Sequence, residues 1–281
     1  MNDLISVIVP TYDRPDALAA VLRGVARQSD RHFEVVVADD GSGPETAAVI
    51  ERGRGALGVP LHHVRHEHDG FRAAEIRNRA ILESRGGYVI FLDGDCVPRP
   101  DFIAQHRGLA EPGWFVAGNR ILLSPELTTQ VLAHDLAPER WGFPSLLVRW
   151  PRGVNRLAPA LRLPLGALRK ARPTRWQGAR TCNLAVWRAD LDTVDGFDAS
   201  FAGWGLEDSD LAIRLMHAGV RRKDGRYATG VFHLWHRPYD RAALPGNKAR
   251  LDEVIRGDRV RALRGLSALD PQPVPSGGST R

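Results

Sequence analysis

Apolar residues recur in two alternating patterns along the N-terminal half of the chain. Short runs rich in valine and isoleucine predict strands over 5–10, 33–38 and 88–92, and a further strand is expected near 61–65. Between them, apolar residues at every third or fourth position predict helices over 17–28, 44–50 and 72–84. Such alternation predicts an α/β fold, in which a mostly parallel central sheet is flanked by helices.

The pattern is less regular after residue 92. It predicts a helix over 98–108, strands over 114–122, 183–187 and 228–235, and a helix over 207–217. The proline- and arginine-rich region 138–180 interrupts this order, and we interpret it as an insertion that is partly helical around 157–170. The segment beyond 270 has three prolines and a Gly-Gly-Ser run, which is typical of disorder.

Composition favours one large domain of a cytoplasmic protein. The 281 residues are 43% hydrophobic, which is enough for a sizeable core. The two cysteines, Cys96 and Cys182, are expected to be reduced thiols. No stretch has the roughly eighteen apolar residues of a membrane span, and the start shows no signal-peptide pattern.

Positive charge is concentrated in one block. Residues 140–189 contain ten arginines and Lys170 but no acidic residue, within a chain whose net charge is +6. A block of this kind favours an anionic partner, such as a membrane surface, phosphate groups or nucleic acid. Leucines and tryptophans lie among the arginines, so we expect the block to bind the anionic inner face of a membrane rather than nucleic acid. An ordinary solvated insertion is the alternative.

Two acidic motifs are candidates for chemistry. Asp93-Gly94-Asp95 follows a predicted buried strand, where two carboxylates can face a divalent cation such as Mn²⁺ or Mg²⁺. The alternative is a polar turn that precedes a helix. In the second motif, Trp204 between two glycines can lie against a sugar, and Glu207 and Asp208 can supply a general base. The alternative here is a core tryptophan followed by acids that stabilise a helix start.

Five motifs in one order resemble glycosyltransferase family 2, in the galactosyltransferase and chondroitin-polymerase type with a G-W-G-x-E-D loop. The resemblance covers about residues 4–238, and the motifs are Val7 to Arg14, Val36 to Ser42, Gly70-Phe71-Arg72 with Arg77-Asn78, Phe91 to Asp95, and Gly203 to Asp210.

The resemblance implies a GT-A fold and inverting, metal-dependent transfer of a hexose from a UDP-sugar to a glycan or lipid-linked acceptor. Asp208 is expected to be the catalytic base, with Glu207 beside it, and the acceptor is expected to contact Trp204, Gly205 and Glu207. The expected metal ligands are Asp93, Asp95 and His233, with His236 as the rival of His233. The expected nucleotide-sugar contacts are Pro10, Thr11, Tyr12, Arg14, Asp40, Arg72, Arg77, Asn78, Asp93 and Gly94.

The same resemblance predicts a single domain over 1–238. It comprises a nucleotide-binding half over about 1–122, the basic insertion over about 138–180 and an acceptor-binding, catalytic part over about 181–238, followed by an extension over 239–281. Leu206 departs from the family pattern, because related loops often have glycine there. A nucleotidyltransferase is a second candidate, although the first strand is not followed by the glycine-rich phosphate loop typical of that class. A basic module without catalysis is a third.

Overall fold

A seven-stranded sheet lies at the centre of the computed structural model, which describes residues 3–133, 136–150, 153–155 and 161–269. The strands in chain order are β1 (Ile5–Thr11), β2 (Phe33–Asp39), β3 (Leu61–Arg65), β4 (Tyr88–Phe91), β5 (Cys96–Pro98), β6 (Trp114–Ala117), β7 (Arg120–Leu122), β8 (Leu184–Trp187), β9 (Arg221–Asp224) and β10 (Val231–His233). The large sheet has the order β3-β2-β1-β4-β8-β6-β9, and a small sheet has the order β5-β10-β7.

Helices connect these strands. They are α1 (Pro15–Ala26), α2 (Pro44–Leu57), α3 (Ala73–Glu83), α4 (Phe102–Leu109), α5 (Pro125–Leu132), α6 (Phe143–Arg149), α7 (Arg188–Thr193), α8 (Glu207–His217) and α9 (Leu244–Arg256). Proline stands in the first turn of α1, α2 and α5, where its missing N–H costs nothing.

The central sheet is mostly parallel. β3, β2, β1 and β4 run parallel, β8 runs antiparallel to both of its neighbours, and β6 and β9 are parallel. Alternate residues of β1 enter different cores: Val7 and Val9 belong to the cluster that includes α1, and Ile8 belongs to the cluster that includes α3 and α8. Both faces are therefore buried, which explains the continuous apolar runs. The predicted α/β class is confirmed.

The predicted strand over 114–122 is wrong in one respect, because it is two strands in different sheets. β6 ends at Ala117 and β7 begins at Arg120. At the break, a Cβ on Gly118 would lie 2.2 Å from the side chain of Asn183, so the backbone passes this side chain too closely for any residue but glycine. The predicted strand over 228–235 is likewise shortened to β10.

The basic insertion packs onto the sheet rather than standing apart from it. Its short 3₁₀ helix, Gly166–Lys170, matches part of the helical segment predicted around 157–170, whose residues 157–160 lie outside the described ranges. Arg169 is buried there and donates to the carbonyls of Leu163, Asp224 and Arg226. Among the described residues, no helix combines the length and apolar character that crossing a bilayer would require.

The described part of the C-terminal extension also contacts the rest of the chain. Leu251 and Val254 of α9 pack with Phe201 and Ile213 in a separate apolar cluster. Beyond α9, the backbone N–H groups of Leu263 and Arg264 donate to the buried carboxylate of Asp198. The described part of the extension therefore packs against the residues before it, and the boundary at 238 stays a prediction. The segment predicted to be disordered lies outside the described residues.

Candidate active site

The ends of β1, β2 and β4 bring three polar segments to one edge of the sheet. Thr11 ends β1, Asp39-Asp40 follow β2, and Asp93 lies two residues after β4. The turn after β4 touches the end of β1: a Cβ on Gly94 would lie 2.4 Å from the carbonyl oxygen of Pro10. Glycine between the two aspartates is therefore required by close backbone contact. Pro10, Thr11, Asp93 and Gly94 thus lie together, as expected for one ligand cleft.

Arg77 joins the two acidic motifs. This residue of α3 is buried, and its Nη2 lies 3.1 Å from Asp93 Oδ1. Its Nη1 lies 3.1 Å from Glu207 Oε1 at the start of α8. One guanidinium therefore fixes the distance between the turn after β4 and the G-W-G-x-E-D loop, and the two motifs share a cleft. The arginine expected near the phosphates instead holds two carboxylates.

The acids at the start of α8 differ in their electrostatic state. Burial, with a further contribution from the adjacent Glu207, raises the pKa of Asp208 to about 7, while Arg77 opposes the shift. Glu207 has one carboxylate oxygen on Arg77, and its Oε2 is buried without a hydrogen-bond partner among the described residues. Asp208 can therefore exchange a proton near neutral pH, and Glu207 offers a free acceptor beside it.

Asp95 and two histidines form a possible cation site. Asp95 Oδ2 lies 3.7 Å from His233 Nε2 and 3.4 Å from His236 Nε2. Ligands about 2.0 to 2.2 Å from one ion stand roughly 3 Å apart, so a small inward shift would let Asp95 share Mn²⁺ with either histidine. Burial, partly offset by Asp95, lowers the pKa of His233, which keeps its imidazole neutral and able to bind a metal. The residues present therefore fit a divalent cation.

Cys96 also lies within reach of this group, since its sulfur, an Asp95 oxygen and a His233 nitrogen lie within 4.8 Å of one another. Burial raises the pKa of the Cys96 thiol well above its usual value, with the neighbouring Cys182 adding to the shift. A protonated thiol is a poor ligand for Mn²⁺ or Mg²⁺. His236 Nε2 is 3.4 Å from Asp95 Oδ2 and has the more suitable chemistry, but it lies outside the group of mutually close ligand atoms and would have to move toward His233. Asp93 is paired with Arg77.

The expected nucleotide pocket lies at the ends of β1 and β2. Tyr12 and His68 stack with ring centroids 3.9 Å apart, which leaves no space for a base between them. Asp40 already binds His66 Nε2 at 2.5 Å, and Thr11 Oγ1 is buried with no partner among the described residues. Thr11 therefore has free capacity for a ligand, whereas Asp40 would have to share its carboxylate between His66 and a base.

The two arginines of this region expected to bind the nucleotide sugar have their own contacts. Arg72 donates to the carbonyl of Glu67 and contacts the carboxylate of Glu75. Arg14 binds Asp16 at 3.0 Å and remains about one third exposed. Both ion pairs reach solvent, so each side chain can turn to a phosphate at small cost.

Asn78 is bound to the loop before α8. It is fully buried, its Nδ2 donates to the carbonyl of Phe197, and its Oδ1 accepts from the N–H of Phe197. Both ends of the amide are used by the backbone of Phe197, and the contact of Asn78 with the nucleotide sugar stays a prediction. The residue fixes this loop.

The glycine-rich loop before α8 has a left-handed backbone at several positions. Gly203 and Gly205 have φ of 70° and 106°, and Leu206, which precedes α8, has φ of 80°. The position where related loops often have glycine therefore does require a conformation that glycine favours. Trp204 in this loop forms a cation–π contact with Arg241, whose Cζ lies 5.4 Å from the centroid of the indole ring.

Sequence reasoning missed several residues around the cleft. Tyr239 contacts the rings of Phe71 and His236, and Arg241 covers Trp204. Both follow the last predicted strand, outside the region of resemblance. The only available signal was the dense run of aromatic and basic residues over 232–241. His66 was missed because no motif contains it.

Comparisons with known proteins agree with this geometry. The family model described as glycosyl transferase family 2 matches residues 6–161, more than half of the chain. The chain belongs to this family. A second model, described as the N-terminal domain of galactosyltransferase, matches residues 166–237, which include the G-W-G-x-E-D loop. The resemblance seen in the five motifs is confirmed.

Two similar sequences have stated activities. Validoxylamine A glucosyltransferase of Streptomyces hygroscopicus subsp. jinggangensis is 32% identical over 245 residues, which cover 81% of this chain and 55% of that protein. Chondroitin synthase of Escherichia coli is 25% identical over 239 residues, which cover 77% of this chain and 33% of that protein. The chain thus spans about half, or less, of the length of these relatives.

Solved structures share the fold. TarS residues 1–349 of S. aureus match with a TM-score of 0.59 at 17% identity, over 89% of this chain and 65% of that one. The mannosyltransferase PcManGT of Pyrobaculum calidifontis, solved with GDP-Man and Mn²⁺, matches with a TM-score of 0.59 at 21% identity, over 90% of this chain and 64% of that one. The GT-A-like architecture is therefore confirmed.

Proposed function

We propose that this protein transfers a hexose from a UDP-sugar to a hydroxyl group of a glycan or lipid-linked acceptor, with inversion at the anomeric carbon. The observation that carries the proposal is the position of Arg77 between the two acidic motifs. Its guanidinium nitrogens lie 3.1 Å from a carboxylate oxygen of Asp93 and 3.1 Å from one of Glu207, which keeps both acids in a single cleft. Membership of glycosyl transferase family 2 supports it. The stated glucosyl transfer and chondroitin synthesis of similar proteins support a hexose-containing donor.

The residues divide the reaction between them. Asp208 takes the proton of the acceptor hydroxyl as that oxygen attacks the anomeric carbon, and the bond from this carbon to the diphosphate oxygen breaks. Glu207 Oε2 accepts a hydrogen bond from the acceptor, and Trp204 lies against the sugar. The nucleotide lies along Pro10, Thr11 and Tyr12. Proton removal by a positioned base contributes roughly 10²- to 10⁴-fold to such reactions.

The metal proposal rests on Asp95, His233 and His236. A divalent cation held by them would neutralise negative charge on the leaving diphosphate. This chain's own contribution is the neutral state of His233 and the fixed position of Asp95. Asp95 accepts from the Cys96 thiol, and its carbonyl accepts from the N–H of Leu234 in the segment between the two histidines.

A nucleotide-release screen tests the proposal. The purified chain is mixed with Mn²⁺ and, in separate reactions, UDP-glucose, UDP-galactose, UDP-N-acetylglucosamine, UDP-N-acetylgalactosamine and GDP-mannose. We expect UDP release from at least one UDP-sugar. The Asp208→Asn variant should retain UDP binding and lose about 10²- to 10⁴-fold in turnover, whereas Asp252→Asn, the same change at an exposed position of α9, should behave as the parent protein.

Three results would contradict the proposal. Release of GDP alone would refute the UDP specificity, and release of pyrophosphate from a nucleoside triphosphate would favour a nucleotidyltransferase. Full turnover by Asp208→Asn would remove Asp208 from its role as base.

A further inference from the structure

A cavity of about 530 Å³ lies in the basic insertion and is not part of the donor cleft. Its walls come from the insertion, β7, β9 and the turns after β6 and β9. Seven arginines line it, against a single acidic residue, Asp224. The arginines are Arg120, Arg169, Arg172, Arg175, Arg180, Arg222 and Arg226. We call it the arginine cavity.

Most of this positive charge has no carboxylate partner. Asp224 pairs with Arg226, while Arg169 and Arg222 donate only to backbone carbonyls. Arg172 and Arg175 are exposed and form no ion pair or hydrogen bond through their side chains within the described ranges. Arginines that gather without acids repel one another, so the arrangement costs free energy unless an anion binds.

Arg222 shows this cost most clearly. It is 8% exposed, and its Nε has no hydrogen-bond partner among the described residues. Burial lowers its pKa, and the nearby Arg175, Arg226 and Arg172 lower it further although Asp224 opposes them. A buried guanidinium with an unused donor, held among other cations, is what a built anion site requires.

The arginine cavity adjoins the catalytic acids. Arg180 acts electrostatically on Asp208, and Arg120 acts on Asp93 and Asp95. Cys182, which lines the cavity, interacts with Cys96 directly after Asp95. The strand that carries Arg120, β7, also pairs with β10, which ends at His233. The cavity is thus close enough to the cleft for a long acceptor, with one hydroxyl at Asp208, to extend into it.

We infer that the acceptor is an anionic glycan, whose carboxylate or phosphate groups bind in the arginine cavity while its terminal hydroxyl lies at Asp208. The inference rests on the proposed function and adds the chemical class of the acceptor. The concave shape favours a chain of discrete anionic groups over a flat bilayer, and arginine's fork matches both carboxylate and phosphate oxygens.

Calorimetric binding with matched probes tests this inference. The carboxylate arm uses tetragalacturonate against its methyl ester, and the phosphate arm uses tri(glycerol phosphate) against triglycerol. We expect one or both anionic probes to bind, more weakly as ionic strength rises, and the neutral probes not to bind. Binding by one arm alone identifies the anionic group.

The variants distinguish the cavity from net charge. Arg172→Gln with Arg175→Gln should weaken binding of the anionic probe at least about tenfold, because charged hydrogen bonds contribute roughly 1.5–3 kcal/mol each. The control, Arg52→Gln with Arg54→Gln on the exposed face of α2, removes the same charge and should leave binding unchanged. Equal losses in both double variants, or equal binding of neutral and anionic probes, would overturn the inference.

Two parallel measurements separate the remaining outcomes. UDP with Mn²⁺ should bind equally well to both double variants. If the parent protein binds an anionic probe but releases no UDP from any UDP-sugar, the proposed function is wrong and the anion site is retained. If neither oligomer binds while vesicles containing phosphatidylglycerol bind and lose binding in the cavity variant, the partner is a membrane and the acceptor inference is wrong.

Discussion

At the residue scale, Asp208 shows how neighbours set a carboxyl group's function. It begins α8 beside Glu207, and burial with that like charge raises its pKa to about 7. If it is the base, kcat/KM should rise with pH and level off above an apparent pKa near 7.

The Glu207→Gln variant should shift that rise to lower pH, because it removes the negative charge that disfavours ionised Asp208. A pH profile of UDP release in the parent and variant proteins measures both. An activity that does not change between pH 5 and 9 would exclude Asp208 as the titrating base.

The same raised pKa predicts an effect on stability. The folded protein holds the Asp208 proton to higher pH than the unfolded chain does, so the parent loses stability as pH rises from about 4 to about 7. Asp208→Asn should therefore raise Tm relative to the parent protein at pH 8, and the gain should shrink toward pH 4. Asp252→Asn is the control and should show no such pH dependence. A gain of equal size at pH 4 and pH 8 would contradict the electrostatic cause.

His233 and His236 can be distinguished by metal binding. Removal of a true ligand should weaken Mn²⁺ binding in the presence of UDP by roughly tenfold or more. Electron paramagnetic resonance of free Mn²⁺ measures this directly for His233→Ala and His236→Ala, with His32→Ala at an exposed site as the control. Retention of parent affinity by both variants would leave Asp95 without a histidine partner and refute the proposed site.

At the element scale, a buried ionic network holds α8 against the loop that precedes it. Arg214 is fully buried, binds Asp210 at 2.7 Å, and donates to the carbonyls of Val194 and Gly196. Arg259 then joins Asp210 to Asp198. Since Asn78 holds the same loop at Phe197, the two acids at the start of α8, which we propose to be catalytic, have a rigid support.

Arg214→Met should destabilise the protein by about 3–5 kcal/mol, because it removes the closer ionic partner of the buried Asp210, which keeps Arg259 at 3.3 Å, and leaves two backbone carbonyls without a donor. Arg214→Met with Asp210→Leu should recover part of the loss, since no unpaired charge then remains. Urea unfolding measures both, and Arg256→Met on the exposed face of α9 is the control. A cost below about 1 kcal/mol would show that the network adds little to stability.

The elements also show where sequence patterns succeed and fail. Strands β1, β2 and β4 were predictable because both faces of the sheet are buried there, which gives continuous apolar runs. β9 was not, since its sequence is Arg-Arg-Lys-Asp. Its Lys223 and Arg222 are both buried. An ion pair with Glu111 compensates for the burial of Lys223, and hydrogen bonds to backbone carbonyls compensate for the burial of Arg222. Such compensation depends on tertiary partners that no local pattern reveals.

The site could be predicted to a similar degree. The rule that ligands bind at the carboxyl ends of parallel strands brought the residues after β1, β2 and β4 together correctly. The role of Asn78 could not be read from the sequence, because its partner Phe197 lies over a hundred residues away. In the sequence, the arginine cavity could be seen only as a basic block without acidic residues. Its concave shape could not be predicted, because part of its wall comes from β7 and β9, which lie outside that block.

At the scale of the whole molecule, the C-terminal segment packs against the rest of the chain. A chain that ends at residue 238 would lose Leu251 and Val254 from an apolar cluster and Arg259 from Asp198 and Asp210. We expect this chain to show no cooperative thermal unfolding, whereas a chain that ends at 269 should unfold with nearly the parent Tm. Circular dichroism decides between them. Cooperative unfolding of the shorter chain would support the predicted domain boundary at 238.

The single guanidinium of Arg77 has a thermodynamic consequence. A ligand that binds the carboxylate of Asp93, such as a ribose or a cation, would break the ion pair between Asp93 and Arg77. The ion pair between Arg77 and Glu207 would then become stronger. Occupancy on one side then changes affinity on the other, and by reciprocity the acceptor changes the affinity for the donor to the same extent. The affinities for the two substrates would then be coupled through one residue of α3 that touches neither reacting atom.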